Sequence, residues 1–436
     1  MLFNILLIIF FLLFTYLVAR NLLWGLILIS AFLPSYLVRF ELLGLPTTVL
    51  EGMILITFLA WVYKHKADWG GVVGDVVHGR SLPNPLNRWF WATILFFVFS
   101  LISVYTAPNH WAALGVWRAY FLEPIIFFSI FISTVKNRED LYKIIWGLVL
   151  GAIPIAIFGV IQQFTGWFIP NLYWQAEATR RVTSIFGHPL ALALFLAPLL
   201  PFVVYLFDHD FRKTKGLMGH DLFYSIIFFI FFLAVIFTQS MGALLAIVGS
   251  VLFFGLLFRR TRKISFLIII VAGLFLWLSP LKEPFREEVM FQGFSGQLRV
   301  SMWGETIEML SDHPLWGAGL SAYQTVVRPY HILAWAEIYP YPHNIILNFW
   351  SEIGFFGLVG FLWLILLFWR AGFELMKQKK GEDLWLVETI LASMLIMLIQ
   401  GLVDAPYFKN DLAVFFWLLM AMMVVNIKMN QKYVRT

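Results

Sequence analysis

Long apolar runs, separated by short polar segments, recur along most of the chain. A membrane-spanning helix needs roughly 20 mostly apolar residues, and the pattern predicts thirteen such segments, of which the third is short and carries Glu51. We expect twelve or thirteen of them to span a membrane, so the predicted fold class is all-α, a polytopic bundle of membrane helices. The predicted segments lie near 2–19, 22–38, 47–63, 89–107, 112–134, 143–165, 189–207, 222–239, 241–258, 264–280, 343–369, 384–403 and 411–427.

The composition agrees with a lipid environment. Hydrophobic residues make up 61% of the 436 positions and charged residues 13%, whereas soluble proteins carry about 45–50% apolar and about 25% charged residues. This excludes an ordinary soluble enzyme and a disordered regulator. The chain has no cysteine, which excludes a disulfide scaffold and thiolate chemistry. The first segment lacks a basic region and a small-residue cleavage site, so we expect a retained helix, not a signal peptide.

Basic residues predict the orientation of the bundle. When the 259–263 loop is placed inside, alternation of the spans puts 22 of the 31 Lys and Arg residues on the inner side, as the positive-inside rule expects. We therefore interpret the net charge of +6 as a signal of topology, not of nucleic-acid binding. The remaining nine basic residues are Arg39, Arg118, Arg180, Arg181, Lys282, Arg286, Arg299, Arg328 and Lys409.

This topology leaves two long outer segments, 166–188 and 281–342. The second has no linker-like tract of Gly, Ser or Pro. Within it, apolar residues at 298, 302, 303, 307 and 310 predict an amphipathic helix that lies against protein or the bilayer surface. No fixed-period repeat is visible, and we expect a single integral membrane domain over 1–436.

Polar residues at the outer ends of the spans are the candidate site, since the sequence has no P-loop, HExxH, GxSxG or dinucleotide-binding motif. His343 follows Tyr341-Pro342 and is expected in the first turn of an outer-facing helix, where the helix dipole favours a neutral imidazole that can accept a proton. The alternative is a polar cap at the membrane interface, and the same alternative applies to His188. Asn344 directly follows His343.

Arginines are the candidate anion ligands. The guanidinium groups of Arg299, Arg180 and Arg181 match diphosphate oxygens; contact with lipid headgroups or with an acidic partner is the alternative. Arg118 lies inside an apolar span, where a charge is usually functional. Its alternative is an ion pair with Glu123, although a spacing of five is imperfect for one helix face. Asp404 is expected to be structural, and His313 and His331 have nothing to distinguish them.

Three ordered motifs resemble those of the O-antigen ligase and polymerase superfamily over roughly residues 90–425. The first is Arg181-Val-Thr-Ser-Ile-Phe-Gly-His188-Pro189. The second joins Leu298-Arg299-Val-Ser-Met-Trp303 to His313-Pro-Leu-Trp-Gly-Ala-Gly319. The third is Pro342-His343-Asn344 with Glu352-Ile-Gly354 and Gly357 downstream.

The resemblance implies a glycosyltransferase of the C-type fold group in a bacterial inner membrane. Such enzymes move a glycan from undecaprenyl diphosphate to an acceptor hydroxyl, on lipid A-core or another envelope component, at the outer face. It implies that His343 is the base and that arginines hold the diphosphate, so that no metal or other cofactor is needed. The predicted substrate-binding residues are Arg299, Arg180, Arg181, Arg118, Trp303, His188 and Asn344.

One departure from the family pattern concerns the connection between the eighth and ninth spans. Members often carry Ser-Arg-Gly there, whereas this chain has Ser240-Met241-Gly242, which puts the details of donor binding or the acceptor class in doubt. The expected reaction is a direct, inverting displacement. A polymerase that joins lipid-linked repeat units shares the three motifs and stays open. A transporter or lipid flippase is the alternative from another class, although transporters often show inverted repeats and midplane polar residues.

Overall fold

The structure, a computed structural model, describes residues 2–42, 44–65, 84–214, 218–257, 290–333 and 335–434, with a few positions between 262 and 287. Helices dominate these residues, and the prediction of an all-α polytopic bundle is confirmed. Twelve of the thirteen predicted segments coincide with helical residues. The tenth, 264–280, lies mostly outside the described residues.

The described residues of the first half of the bundle form seven main helices. They are α1 (Leu2–Arg20), α2 (Leu22–Ala31), α3 (Val49–His65), α4 (Asn84–Thr106), α5 (His110–Trp117), α6 (Glu123–Thr134) and α7 (Arg138–Thr165). A π-helical turn, Arg118–Leu122, joins α5 to α6 so that they form one continuous element.

The second half begins with the outer segment 166–188 and its short helices, and it ends with three long helices. The elements are α8 (Leu172–Gln175), α9 (Pro189–Leu196), α10 (Leu200–Thr214), α11 (Met218–Phe237), α12 (Met241–Leu257), α13 (Phe294–Asp312), α14 (Tyr323–Val326), α15 (Ile345–Gln378), α16 (Glu382–Gln400) and α17 (Asn410–Val434). Single 3-10 turns cover Leu33–Leu37, Glu177–Thr179, Ala197–Leu199 and Arg328–Tyr330.

Seven helical stretches among the described residues are long and apolar enough to cross a membrane. The apolar helices 22–31, 222–237 and 241–257 are shorter. The second predicted segment is interrupted because Pro34 lies in the 3-10 turn that follows Ala31, and proline lacks the amide proton that an α-helix uses. A small hairpin of β1 (Arg39–Leu42) and β2 (Leu45–Thr48) follows, which the hydropathy pattern did not predict.

Helix α17 lies at the centre of the bundle. Nearly all of its side chains are buried, Trp417 among them, and it packs against α6, α15 and α16. At the other extreme, α1 buries little of its surface. The turn 401–409, which connects α16 to α17, is therefore held at the N-terminal end of the most buried helix of the described chain.

The outer segment before α15 packs on the bundle through α13. The prediction of an amphipathic helix is correct for Leu298, Met302 and Leu310, which are buried. It is wrong for Ile307, which is 58% exposed, and Trp303 is only partly buried. The helix buries the face that carries Met309 and Leu310 against the 318–327 segment.

The 314–321 segment docks onto a kink in α15. Gly354 has φ +71° inside this helix, and the amide of the next residue donates to the Leu315 carbonyl at 2.9 Å. The Glu352 carboxylate accepts from the Ser321 amide at 2.6 Å. A Cβ at Gly354 would lie 2.4 Å from the Leu315 carbonyl oxygen. The second and third predicted motifs are thus joined by backbone contacts.

Candidate functional site

Three segments that are far apart in the sequence meet at one end of the bundle, the end that the basic residues predict to be the outer one. The Ile345 amide donates to the Gly401 carbonyl at 2.6 Å, which joins the start of α15 to the 401–409 turn. The Trp303 indole of α13 donates to the Pro342 carbonyl at 2.9 Å. These contacts place His343 between α13 and the turn that carries Asp404.

His343 lies one residue before the helix cap, not in the first turn as predicted. Helix α15 begins at Ile345, and the Asn344 side chain caps it by accepting from the amides of Ile346 and Leu347 at 3.0 and 3.2 Å. His343 has a left-handed φ of +50°, which is uncommon for a residue other than glycine. The imidazole is therefore held away from the helix, with the Tyr339 ring against it at 5.5 Å between centroids.

Asp404 is the partner of His343. Its Oδ1 lies 3.3 Å from the His343 Nδ1, and the residue is 1% exposed. A carboxylate beside Nδ1 favours the tautomer with the proton on Nδ1, which leaves the Nε2 lone pair open. Asp404 was expected to be structural from the sequence, and its contact with His343 makes it a candidate positioning residue that local sequence did not single out.

Arg299 lies on the other side of Asp404. One of its terminal nitrogens is 3.9 Å from the same Asp404 Oδ1, and its Nε donates to the Val403 carbonyl at 2.9 Å. Its side chain is only 15% exposed. The structure thus brings together Arg299 and His343 through Asp404, as a base and an arginine of one site would require.

Of the two adjacent arginines, Arg181 belongs to this group. Its charge acts on the pKa of His188, as do those of His343 and Asp404. Its Nε donates to the Thr238 carbonyl at 2.9 Å, and its guanidinium lies 5.9 Å from the centroid of the Trp174 ring.

Arg180 has a different environment. Its Nε and NH1 donate to the carbonyls of Gln175 and Gln163 at 3.1 and 2.9 Å, so its guanidinium ties the 166–188 segment to the end of α7.

His188 caps helix α9 and lies near Arg181, His343 and Asp404. Its Nδ1 accepts from the Leu190 amide at 3.2 Å, and its ring meets Trp174 edge to face at 4.7 Å between centroids. Burial, followed by the charges of Arg181 and His343, lowers the pKa of His188 to about 4. The ring is therefore neutral at physiological pH.

Two further predicted ligands have structural contacts. Asn344 donates from Nδ2 to the Leu402 carbonyl at 3.1 Å while its Oδ1 caps α15. The Trp303 indole nitrogen donates to Pro342. Both side chains fix the backbone on either side of His343, so they position the imidazole whether or not they also contact a substrate.

Arg118 lies in a separate cluster. Its guanidinium is 2.9 Å from Glu51 and 3.4 Å from Glu123. The ion pair with Glu123, the alternative expected from the sequence, is present because Arg118 begins a π-helical turn and Glu123 caps it, with the Glu123 amide bonded to the Arg118 carbonyl five residues earlier. The Arg118–Glu51 pair ties this turn to the start of α3.

Met241 stands where family members often carry arginine, and its neighbour Gly242 borders the site. A Cβ at Gly242 would lie 2.8 Å from Val403 and 3.6 Å from the Asp404 Oδ2. The start of α12 thus packs against the turn that carries Asp404. Among the described residues, no group of three or more His, Asp or Glu side chains is arranged to hold a metal ion.

Comparison with known proteins adds one finding on the family. Residues 226–362 match the family model of O-antigen ligase, and this region includes Arg299, Trp303 and His343. Arg181, His188 and Asp404 lie outside the matched residues. The chain matches no curated protein. The match over 226–362 supports a member of the O-antigen ligase superfamily, a family of glycosyltransferase-type enzymes, and the apolar helices support a multi-pass membrane protein.

Proposed function

We propose that the protein transfers a glycan from undecaprenyl diphosphate to an acceptor hydroxyl at the outer face of the bacterial inner membrane. The observation that carries this proposal is the His343 imidazole held against the buried Asp404 carboxylate, with Arg299 on the same carboxylate oxygen. Arg181 and His188 lie beside this group. A base with cations next to it suits a reaction that removes a proton and releases a diphosphate.

His343 is the general base in this reaction. With Nδ1 protonated and directed at Asp404, the Nε2 lone pair takes the proton from the acceptor hydroxyl as the oxygen attacks the anomeric carbon. Asp404 holds the ring in this tautomer and stabilises the imidazolium that forms. The new bond joins the acceptor oxygen to the anomeric carbon.

The bond that breaks joins the anomeric carbon to the diphosphate oxygen. Its electron pair goes to the diphosphate, which leaves on the polyprenyl chain with one more negative charge. Arg299 and Arg181 stabilise this charge, because guanidinium groups match phosphate oxygens geometrically. Attack from the side opposite the leaving group inverts the anomeric centre.

The acceptor is lipid A-core or another envelope component in this proposal. A polymerase that passes the glycan to a second lipid-linked chain would use the same base and arginines, so the acceptor alone separates the two activities. Supplying the purified protein with each acceptor in turn distinguishes ligase from polymerase.

The test of the proposed function is His343→Ala in the purified protein, reconstituted with undecaprenyl diphosphate-linked glycan and acceptor. Loss of the base is expected to lower the rate of transfer by about 10²- to 10⁴-fold, measured as glycan on the acceptor and free polyprenyl diphosphate. His110→Ala is the matched control, since His110 is an exposed outer-face histidine whose Nδ1 contacts only the Val104 carbonyl among the described residues.

Full transfer by His343→Ala would contradict the assignment of the base. Movement of intact donor across reconstituted vesicles, without cleavage of the glycan–phosphate bond, would instead show a transporter or flippase.

A further inference from the structure

The hydrogen bonds of the two histidines of the site, His188 and His343, favour opposite tautomers of the imidazole ring. The His343 Nδ1 lies 3.3 Å from the Asp404 carboxylate, which accepts, so this nitrogen carries the proton. The His188 Nδ1 lies 3.2 Å from the Leu190 amide, which donates, so this nitrogen carries the lone pair. In the neutral ring of His188 the proton is therefore on Nε2.

The neutral state of His188 also follows from its surroundings. The ring is partly buried and packs against Trp174. Burial is the largest cause, and the charge of Arg181, with that of His343 when it is protonated, also disfavours a positive charge on His188, whereas Asp404 favours one. Burial and the neighbouring positive charge prevail and lower the pKa of His188 to about 4. Hence His188 is not available as a base through Nδ1, and its Nε2 already carries a proton.

The Nε2–H of His188 is thus a fixed donor beside Arg181. Within the described residues it makes no hydrogen bond. The hydrogen bond from Leu190 and the edge-to-face contact with Trp174 fix the ring on two sides. Donors that are held in place before the reaction stabilise developing charge most effectively, because they need no reorganisation.

We propose that His188 is a neutral hydrogen-bond donor, through Nε2–H, to the diphosphate of the lipid-linked substrate. This inference rests on the proposed function. The hydrogen bond from Nε2–H becomes stronger as the anomeric carbon–oxygen bond breaks and negative charge accumulates on the diphosphate. No proton is transferred from His188: the one proton that moves goes from the acceptor hydroxyl to His343.

Two substitutions separate this role from that of a helix cap. His188→Asn keeps the cap, since asparagine is among the best N-cap residues, but its amide nitrogen does not extend to the position of Nε2. His188→Gln places an amide N–H near the position of Nε2 and is a poor cap. His188→Asn therefore removes the hydrogen-bond donor and keeps the helix cap, whereas His188→Gln keeps the hydrogen-bond donor and removes the cap.

We expect the melting temperature to depend on the helix cap and kcat to depend on the N–H at the position of Nε2. His188→Asn should keep the melting temperature and lose about 10- to 100-fold in kcat with the undecaprenyl diphosphate-linked donor, since one hydrogen bond to a charged group is removed. His188→Gln should melt at a lower temperature but keep most of kcat. The limb of the pH–rate profile that reports the base should stay in place in both variants.

Three results would overturn the inference. Wild-type kcat in His188→Asn would mean that the residue only caps α9. If folded His188→Gln has a kcat as low as that of His188→Ala, an N–H at the position of Nε2 does not contribute to catalysis. A displaced limb of the pH profile would mean that His188 itself is the base. If the wild-type protein forms no product with its lipid-linked donor, the proposed function fails instead.

Discussion

Two adjacent arginines, Arg180 and Arg181, have different environments although the sequence alone does not separate them. Arg180 directly follows the 3-10 turn Glu177–Thr179 and has an extended backbone, with φ −62° and ψ 125°, so its side chain and that of Arg181 diverge. Arg180 turns back to the carbonyls of Gln163 and Gln175, while Arg181 lies beside His188. Arg180 donates from two guanidinium nitrogens to carbonyls of its own segment and of α7, whereas Arg181 donates from Nε to the Thr238 carbonyl and lies beside His188, where it is placed to bind an anion.

The pair provides a matched experiment. Arg181→Gln is expected to lower kcat/KM for the lipid-linked donor by about 10- to 100-fold, since a charge-assisted hydrogen bond to a diphosphate is lost. Arg180→Gln is expected to lower the melting temperature and leave KM for the donor unchanged. Steady-state kinetics and thermal unfolding of both variants measure this. The assignment fails if Arg180→Gln raises KM for the donor as strongly as Arg181→Gln does.

At the scale of elements, the outer segment is joined to α15 at the kink around Gly354. The Ala318 amide donates to the Ser351 carbonyl at 2.7 Å, and the φ of Gly317 is +66°, so both sides of the contact use left-handed backbone. A Cβ at Gly317 would lie 2.3 Å from the Trp350 carbonyl oxygen. The 314–321 segment and α15 therefore approach backbone to backbone, which only glycine allows at these two positions.

Gly354→Ala is expected to destabilise the protein by about 1–3 kcal/mol, because alanine is strained at this φ and its Cβ would meet the Leu315 carbonyl oxygen. Thermal unfolding in detergent measures the effect. Gly304→Ala is the control, since Gly304 lies in α13 with open space around a Cβ and alanine favours a helix by up to about 1 kcal/mol. Equal melting temperatures of the two variants would contradict the proposed backbone contact.

Hydropathy predicted twelve of the helical segments because a membrane imposes both length and apolar composition on each span. The order of the outer-face motifs placed His343 and Arg299 in one region. Three features were not predictable from local sequence. The position of His343 outside the helix depends on the Asn344 cap, the role of Asp404 depends on a contact 61 residues away, and the Arg118–Glu123 pair depends on a π-helical turn.

At the scale of the whole molecule, the candidate site lies on the face of the bundle that the basic residues assign to the outside. The 166–188 segment, the segment before α15 and the 401–409 turn all lie at this end, and they carry Arg181, His343 and Asp404. The inner side holds 22 of the 31 basic residues by the predicted topology. A bundle in this orientation would present the site to an outer acceptor.

The absence of native cysteine makes this orientation simple to test. Leu172→Cys and Ser311→Cys should react with a membrane-impermeant maleimide in intact spheroplasts, because both positions are exposed in outer segments. Lys136→Cys and Lys380→Cys, exposed in predicted inner loops, should react only after permeabilisation. Labelling of the inner pair in intact spheroplasts would reverse the topology and place the site on the other side.

The late position of Asp404 in the chain has a consequence for biogenesis. Asp404 lies in the turn before α17, and that helix becomes the buried centre of the bundle. During synthesis the segments that carry Arg181 and His343 emerge before Asp404, so the proposed base gains its carboxylate partner only when the 401–409 turn and α17 are added. We therefore expect a nascent chain to lack the oriented base, and the site to be completed at the same step as the core.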